Sequence, residues 1–256
     1  MIDAQVILSF RHVCMTYFSA QDETQALLDV SFDVHSGEFV AVIGPSGCGK
    51  STVLSIAAGL MPPASGEVRL LGKPVAGPSA KVGYMLQSDH LFPWRTIEKN
   101  AFLPLEIQGK CTKQAQQRVR SLLAQYGLSA FAKKYPRELS GGMRQRAALI
   151  RTLAAEPELL LLDEPFSALD AQTRLAVAED LSGIMREQKK AVVLVTHDIA
   201  EAVSMADRIL VFSGRPGRLV RDYPIDIPGS PLTRRNDPRF SDYFEVLWKE
   251  LNGHDR

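Results

Sequence analysis

The sequence predicts an α/β fold built around a parallel sheet, and three observations carry that expectation. Three continuous apolar runs, Phe39–Ile43, 159–162 and 191–195, are about five residues or shorter and have the pattern of strands buried on both faces. A helical stretch over 172–188, with Leu175, Ala178, Leu181 and Met185 on one face, separates the last two runs, and strand–helix–strand is the unit that makes a parallel pair. A glycine-rich segment joins the first run directly to a helix predicted over 50–60. With 256 residues the chain has the size of one large domain with an appended subdomain. Hydrophobic residues at 45% and charged residues at 23% exclude a disordered, collagen-like or low-complexity chain.

Taken in order, 5–13 is rich in strand-forming residues, 19–25 reads as a polar loop, and 27–34 resumes a strand pattern. A turn at Ser36-Gly37 precedes Phe39–Ile43. The helix begun at Lys50 is stopped by Met61-Pro62-Pro63, and 67–71 and 81–86 read as strands around Gly72 and Gly77. From about 88 to 157 the pattern turns helical, with Val119, Leu122, Leu123 and Tyr126 on one face, and reads as a helical subdomain inserted in the chain. After the run at 191–195, segments 209–212 and 218–223 read as a closing strand pair within an extension over about 215 to 256. Phe240, Tyr243, Phe244, Leu247, Trp248 and Leu251 then put an apolar stripe on a last helix.

Lys plus Arg total 30 and Asp plus Glu 29, a net charge of +1, so no overall field draws the chain to nucleic acid, and none is expected as a partner. Cys14, Cys48 and Cys111 are odd in number and lack a C-x-x-C spacing, which disfavours a disulfide framework or structural zinc and fits a reducing cytosol. The start, Met1-Ile2-Asp3-Ala4-Gln5, lacks the basic and apolar regions of a signal peptide, and the apolar runs are too short to span a bilayer.

Gly44-Pro45-Ser46-Gly47-Cys48-Gly49-Lys50-Ser51, followed by Thr52, matches G-x-x-x-x-G-K-[ST] between a buried strand and a helix, the context a phosphate loop requires. Glycines let backbone N–H groups turn in on phosphate oxygens, the helix N-terminus adds positive potential, Lys50 can reach the β- and γ-phosphates, and Ser51 can ligate magnesium. The run 159–162 ends in Asp163-Glu164, at the carboxyl end of a strand where open α/β sheets bind ligands. Asp163 suits the hold on a magnesium ion, and Glu164 suits taking a proton from, or orienting, an attacking water.

Leu139-Ser140-Gly141-Gly142-Met143-Arg144-Gln145-Arg146, between these two motifs, resembles the signature of ATP-binding-cassette (ABC) ATPases. Tyr17, Gln87, Ser167-Ala168-Leu169-Asp170 and His197 fall in the order of that family's aromatic loop, Q-loop, D-loop and switch histidine, and the resemblance covers roughly 5 to 215. It implies a P-loop NTPase core with an N-terminal antiparallel β subdomain and an inserted helical subdomain. It also implies hydrolysis of ATP with Mg2+: a Tyr17 ring stacked on adenine, Gln87 sensing the metal and the water, and His197 at the γ-phosphate. Ser140, Gly141 and Gly142 offer a hydroxyl and N–H donors at a helix start, a second anion site that, the resemblance implies, serves the ATP bound by a second, head-to-tail copy in a homodimer; it also implies Asp170 as a nucleotide-binding residue. Met143 stands where many cassettes have Gln. Cys48, beside Lys50, reads either as a reactive thiol or as a small inert loop residue.

Segment Gln87-Ser88-Asp89-His90-Leu91-Phe92-Pro93-Trp94, with Thr96, Ile97 and Asn100, suits either a grip on a helix of another protein or packing within the helical subdomain. Together with the signature, Arg215-Pro216-Gly217-Arg218 and Asp237-Pro238-Arg239-Phe240, it is similar to the nitrate, sulfonate, taurine and bicarbonate importers. That resemblance implies a homodimer held peripherally at the cytoplasmic face of the inner membrane, with two permease subunits and an extracytoplasmic binding protein that selects a small anion or organic solute. An exporter subunit, or an importer of thiamine or pyrimidine precursors, shares the same motifs.

Overall fold

Two sheets share the core of the computed structural model, which describes residues 5–18 and 23–253. Residues 1–4, and 19–22 of the expected polar loop, lie outside the described residues. The elements run β1 (Val6–Phe18), β2 (Glu23–His35), β3 (Phe39–Ile43), α1 (Lys50–Ala57), β4 (Ser65–Leu70), β5 (Lys73–Pro74), β6 (Val82–Met85), α2 (Ile97–Ile107), α3 (Lys113–Gln125), α4 (Gly141–Ala154), β7 (Leu159–Asp163), α5 (Ala171–Glu187), β8 (Ala191–Val195), α6 (Ile199–Met205), β9 (Arg208–Phe212), β10 (Leu219–Pro224), α7 (Pro231–Arg234) and α8 (Arg239–Gly253).

The central sheet has the order β10-β9-β3-β8-β7-β6, parallel throughout except for the antiparallel β10–β9 pair at its edge. Every residue of β3, β7 and β8 is buried. Alternate side chains divide between two cores, as the two-residue period of a strand requires. Phe39, Ala41, Ile43, Leu160, Leu162, Val192 and Leu194 pack with the helices α2 to α6. Val40, Val42, Leu159, Leu161, Ala191 and Val193 pack with α1 and with the second sheet, antiparallel in the order β2-β1-β4-β5. Covering both faces is what turns these strands into unbroken apolar runs. Among the described residues no helix is long and apolar enough to cross a membrane.

Three boundaries differ from the sequence reading by more than two residues. The strands predicted over 5–13 and 27–34 extend to Phe18 and from Glu23, with Met15 opposite Leu27 and Tyr17 opposite Thr24. Backbone pairing sustains this mixed polar hairpin without an alternating pattern, and bulges at His12 and Asp29, both at positive φ, break its register. Helix α1 ends at Ala57 rather than 60, because Gly59 at φ +73° turns the chain out of the helix. The last stripe also divides: Leu247 is fully buried and Phe240, Tyr243, Phe244 and Leu251 pack on the core, whereas Trp248 is 56% exposed and stacks on Phe244.

That division gives a direct expectation. Leu247→Ala should lose about 2–5 kcal/mol of unfolding free energy through lost burial and a cavity, and Trp248→Ala less than about 1 kcal/mol, both read by denaturant titration. Equal losses would show that the helix docks on a different face.

Candidate functional site

Neighbouring strands β3, β8, β7 and β6 all point their carboxyl ends at one edge of the sheet, and each is followed by a residue group singled out in the sequence. The loop 44–49 leaves β3, Thr196 and His197 leave β8, Asp163 ends β7 with Glu164 next, and Gln87 lies two residues past β6. An open cleft of about 390 Å³ at this edge is lined by Tyr17, Ser46, Gly47, Gly49, Lys50, Ser51, Thr52, Gln87, Asp163, Glu164 and Arg215 among others. This is the edge where parallel α/β sheets take ligands.

Gly49, at φ +94°, has a conformation that disfavours other residues, and a Cβ there would lie 2.7 Å from Leu27 Cδ2. Lys50 is 9% exposed and its ammonium donates to the carbonyls of Gly44 at 2.7 Å and Pro45 at 2.9 Å. The Tyr17 hydroxyl is 3.1 Å from Thr52 Oγ1, which holds the ring at the rim of the cleft. Cys48 faces inward and is fully buried, and burial pushes its thiol up despite nearby Lys50. Of the two readings of this thiol, the inert loop residue is therefore the one that stands. Its side chain, like Gly44 and Pro45, does not line the cleft.

Glu164 is the hub of the site. Its amide donates to the Val195 carbonyl at 2.9 Å, and its φ of +47° is a left-handed conformation of the kind that stores about 1–3 kcal/mol at functional positions. One carboxylate oxygen accepts from Gln87 Nε2 at 3.2 Å and the other sits 3.1 Å from His197 Nδ1. Gln145, buried on α4, donates to the Glu164 carbonyl at 3.2 Å and accepts from the Ala168 amide at 3.0 Å, so it braces the turn from the helical side. Asp163 is buried beside it. Burial pushes its carboxyl up and the Glu164 charge adds to this, while a hydrogen bond from Ser51 and the Lys50 charge oppose it. Among the described residues no group of three or more His, Cys, Asp or Glu is placed to hold a metal. Ser51, Asp163 and Gln87 instead present hard oxygen donors on one cleft, a set that fits magnesium, which keeps waters and takes phosphate oxygens as its remaining ligands.

Behind His197 lies a network that sequence reasoning did not find. Arg174 donates to Asp198 Oδ2 at 3.0 Å and to the Leu169 carbonyl at 3.2 Å, and Asp198 caps α6 by accepting from the Glu201 amide at 3.1 Å. Glu201 is 5% exposed. Burial pushes its carboxyl up to about 7, with a hydrogen bond to Thr196 opposing and the Asp198 charge adding. The sequence signal was an acid at the third position of a helix that begins with Asp, which reads as an ordinary capping pattern.

Ser140, Gly141, Gly142 and Asp170 do not line the cleft. Ser140 caps α4 by accepting from the Met143 amide at 3.3 Å, Gly141 and Gly142 form that helix's first turn, and Met143 packs on the core. Asp170 caps α5 by accepting from the Thr173 amide at 3.0 Å and hydroxyl at 2.7 Å, and these bonds hold its carboxyl below the usual range.

The ABC transporter family model matches residues 27–167. The chain belongs to the ABC transporter family. Three relatives of this ABC protein are ATP-binding subunits named for import. The aliphatic sulfonates import protein SsuB of Bacillus licheniformis is 46% identical, over 90% of this chain and 88% of its own. The taurine import protein TauB of Burkholderia pseudomallei is 42% identical, over 95% and 96%. The nitrate import protein NrtD of Synechocystis is 40% identical, over 90% and 89%. Among solved structures, the dimeric post-hydrolysis state of the ATP-binding cassette MJ0796 bound to ADP and Pi superposes with a TM-score of 0.78 at 32% identity, covering 86% of this chain and 99% of that one. These likenesses bear out the expected fold and the resemblance to the sulfonate, nitrate and taurine importer subunits.

Glu201 gives this ABC protein a measurable pH signature. Because the folded chain holds the Glu201 proton up to about 7 against an ordinary 4.5, its contribution to stability is full below 4.5 and is lost as pH rises to about 7. Glu201→Gln does not titrate, so its stability relative to wild type should rise across that window, by up to about 3 kcal/mol, and stay level above it. Denaturant titrations across the pH range would show this; parallel profiles for the two proteins would remove the raised carboxyl.

Proposed function

We propose that the cleft binds ATP with magnesium and that the chain hydrolyses it as one half of a homodimer that powers import of a small anion. The observation that carries this reading is the convergence of Gln87 and His197 on the two oxygens of Glu164, beside the phosphate loop. A carboxylate held between a donor amide and an imidazole suits a residue that orients water and accepts its proton. Lys50 meets the β- and γ-phosphates, with the N–H groups of residues 46–52 around them, and His197 faces the γ-phosphate. Ser51, Asp163 and Gln87 would hold the magnesium ion, whose bound charge offsets that of the phosphates. The Tyr17 ring packs against adenine.

Ser140, Gly141, Gly142 and Asp170 lie outside their own chain's cleft, which supports assigning them to the ATP held by a second copy related by a two-fold axis. In this reading hydrolysis opens the pair. Phe92 and Trp94 support a permease contact: Trp94 is 71% exposed, its ring sits 5.1 Å from that of Phe92, and buried Asn100 pins their loop by donating to the carbonyls of Phe92, Arg95 and Thr96. The complex then comprises two such subunits at the cytoplasmic face of the membrane, two permease subunits, and an extracytoplasmic binding protein that chooses the cargo. Relatives named for sulfonate, taurine and nitrate import support an oxyanion-bearing cargo.

Glu164→Gln should keep ATP affinity within about threefold, lower turnover by at least about 100-fold, and accumulate an ATP-bound dimer on size exclusion. Unchanged turnover would remove Glu164 from the reaction. Isolation of the membrane complex through a tag on this chain should recover a multi-span permease at equal stoichiometry, and Trp94→Ala should weaken that recovery while basal hydrolysis persists. Full recovery with the variant would move the contact elsewhere.

A further inference from the structure

The segment joining β9 to β10 is clamped onto the phosphate loop. Gly217 donates its amide to the Ala26 carbonyl at 2.9 Å and accepts from the Leu28 amide at 3.0 Å, so the segment is stitched to β2. A Cβ on Gly217 would lie 1.9 Å from the Cys48 carbonyl, so only glycine allows this approach. Ser213 closes the segment: its amide donates to the Arg218 carbonyl at 3.0 Å, its hydroxyl lies 3.1 Å from the Pro216 carbonyl, and it accepts from the Arg218 amide at 3.0 Å. Arg215 sits between these fixed points and lines the cleft, with Nη2 3.5 Å from where a Cβ on Gly47 would stand. Among the described residues its guanidinium has no ion-pair or hydrogen-bond partner, unlike those of Arg174 and Arg208.

We propose that Arg215 is a nucleotide-binding residue, its guanidinium contacting the polyphosphate chain held by the loop of residues 44–51; this rests on the reading of the cleft as the ATP site. Charge explains the need. Of the other charged side chains lining the cleft, Lys50 is the one cation beside the two carboxylates of Asp163 and Glu164, whose charge the proposed magnesium ion would offset, so a polyanion meets a single cationic side chain there. Arg215, beside Gly47 of the loop, adds a second cation, with a planar fork suited to phosphate oxygens and, among the described residues, no carboxylate to give up first. It is a binding residue rather than a participant in bond cleavage, since the convergence on Glu164 does not include it.

The test is equilibrium binding of fluorescent ATP and ADP analogues to the full chain. Arg215→Ala should weaken both about tenfold and flatten the dependence of affinity on salt, and Arg215→Lys should recover most of the affinity by restoring charge. Arg215→Met guards against a packing effect and should match Arg215→Ala, both with wild-type circular dichroism and thermal midpoint. Affinity within twofold of wild type and an unchanged salt slope in both neutral variants would overturn the assignment. So would wild-type binding combined with loss of the ATP-dependent dimer in a Glu164→Gln background, which would place the guanidinium against the second copy. Lys50→Ala separates the two readings: nucleotide affinity lost there but kept in the Arg215 variants defeats only this inference, whereas a wild-type chain that binds neither analogue defeats the ATP site itself.

Discussion

The hydrogen bond from the Glu164 amide to the Val195 carbonyl extends the β7–β8 pairing one residue past the end of β7, and the site is built outward from it. To make that bond and still turn toward Gln87, Glu164 takes a left-handed φ, which swings its carboxylate across the sheet edge between the ends of β6 and β8. The sheet order β3-β8-β7-β6 then brings the phosphate loop, His197, Glu164 and Gln87 within three strand spacings, about 14 Å. No side chain could arrange this alone. It follows from parallel pairing, which sends every strand's carboxyl end the same way, and from two apolar cores that hold those strands rigid from both faces.

Rigidity also explains why α4 matters to an edge it does not belong to. Gln145 reaches the Glu164 carbonyl and the Ala168 amide, while Arg144 donates to Asp89 and Arg151 to the carbonyls of Asp89 and His90. One helix therefore ties its own N-terminal Ser140-Gly141-Gly142 to the turn after β7 and to the segment after Gln87. Helix α4 thus gives the Phe92–Trp94 segment and the hub a common anchor, through side-chain hydrogen bonds that are in part buried. On the proposed reading, that anchor is how a membrane partner and the hydrolytic residues would sense each other.

What the sequence made legible divides along physical lines. Strands buried on both faces announce themselves as apolar runs, and β3, β7 and β8 lie where those runs are. A phosphate loop demands glycine where the backbone must turn left-handed, so Gly47 and Gly49 mark it unambiguously. The long β1–β2 hairpin was shortened in the reading because its outer half is held by backbone pairing, which carries no side-chain period. Cys48 was ambiguous because a thiol's reactivity depends on which way it points, and it points into the core. The burial of Glu201 and the place of Arg215 in the cleft are not legible for a common reason: both come from elements far apart in sequence. Glu201 is buried by the packing of α6, and Arg215 is delivered to Gly47 by a segment some 170 residues later that only Gly217 allows to approach.

The placement of Ser140, Gly141, Gly142 and Asp170 completes the physical picture. Ser140 and Asp170 cap their own helices and are exposed, and Gly141 and Gly142 in the first turn of α4 are partly exposed. On the proposed reading, the start of α4 is half of a site and the open cleft over Lys50 is the complementary half. In that reading a two-fold axis would pair each with its counterpart twice over, and a single bridging polyphosphate would be held by both copies. Neither half gains that contact alone. Nucleotide binding and dimerisation would then be coupled, each strengthening the other, and breaking the phosphate chain would remove the link between the copies without any change in the residues that made it.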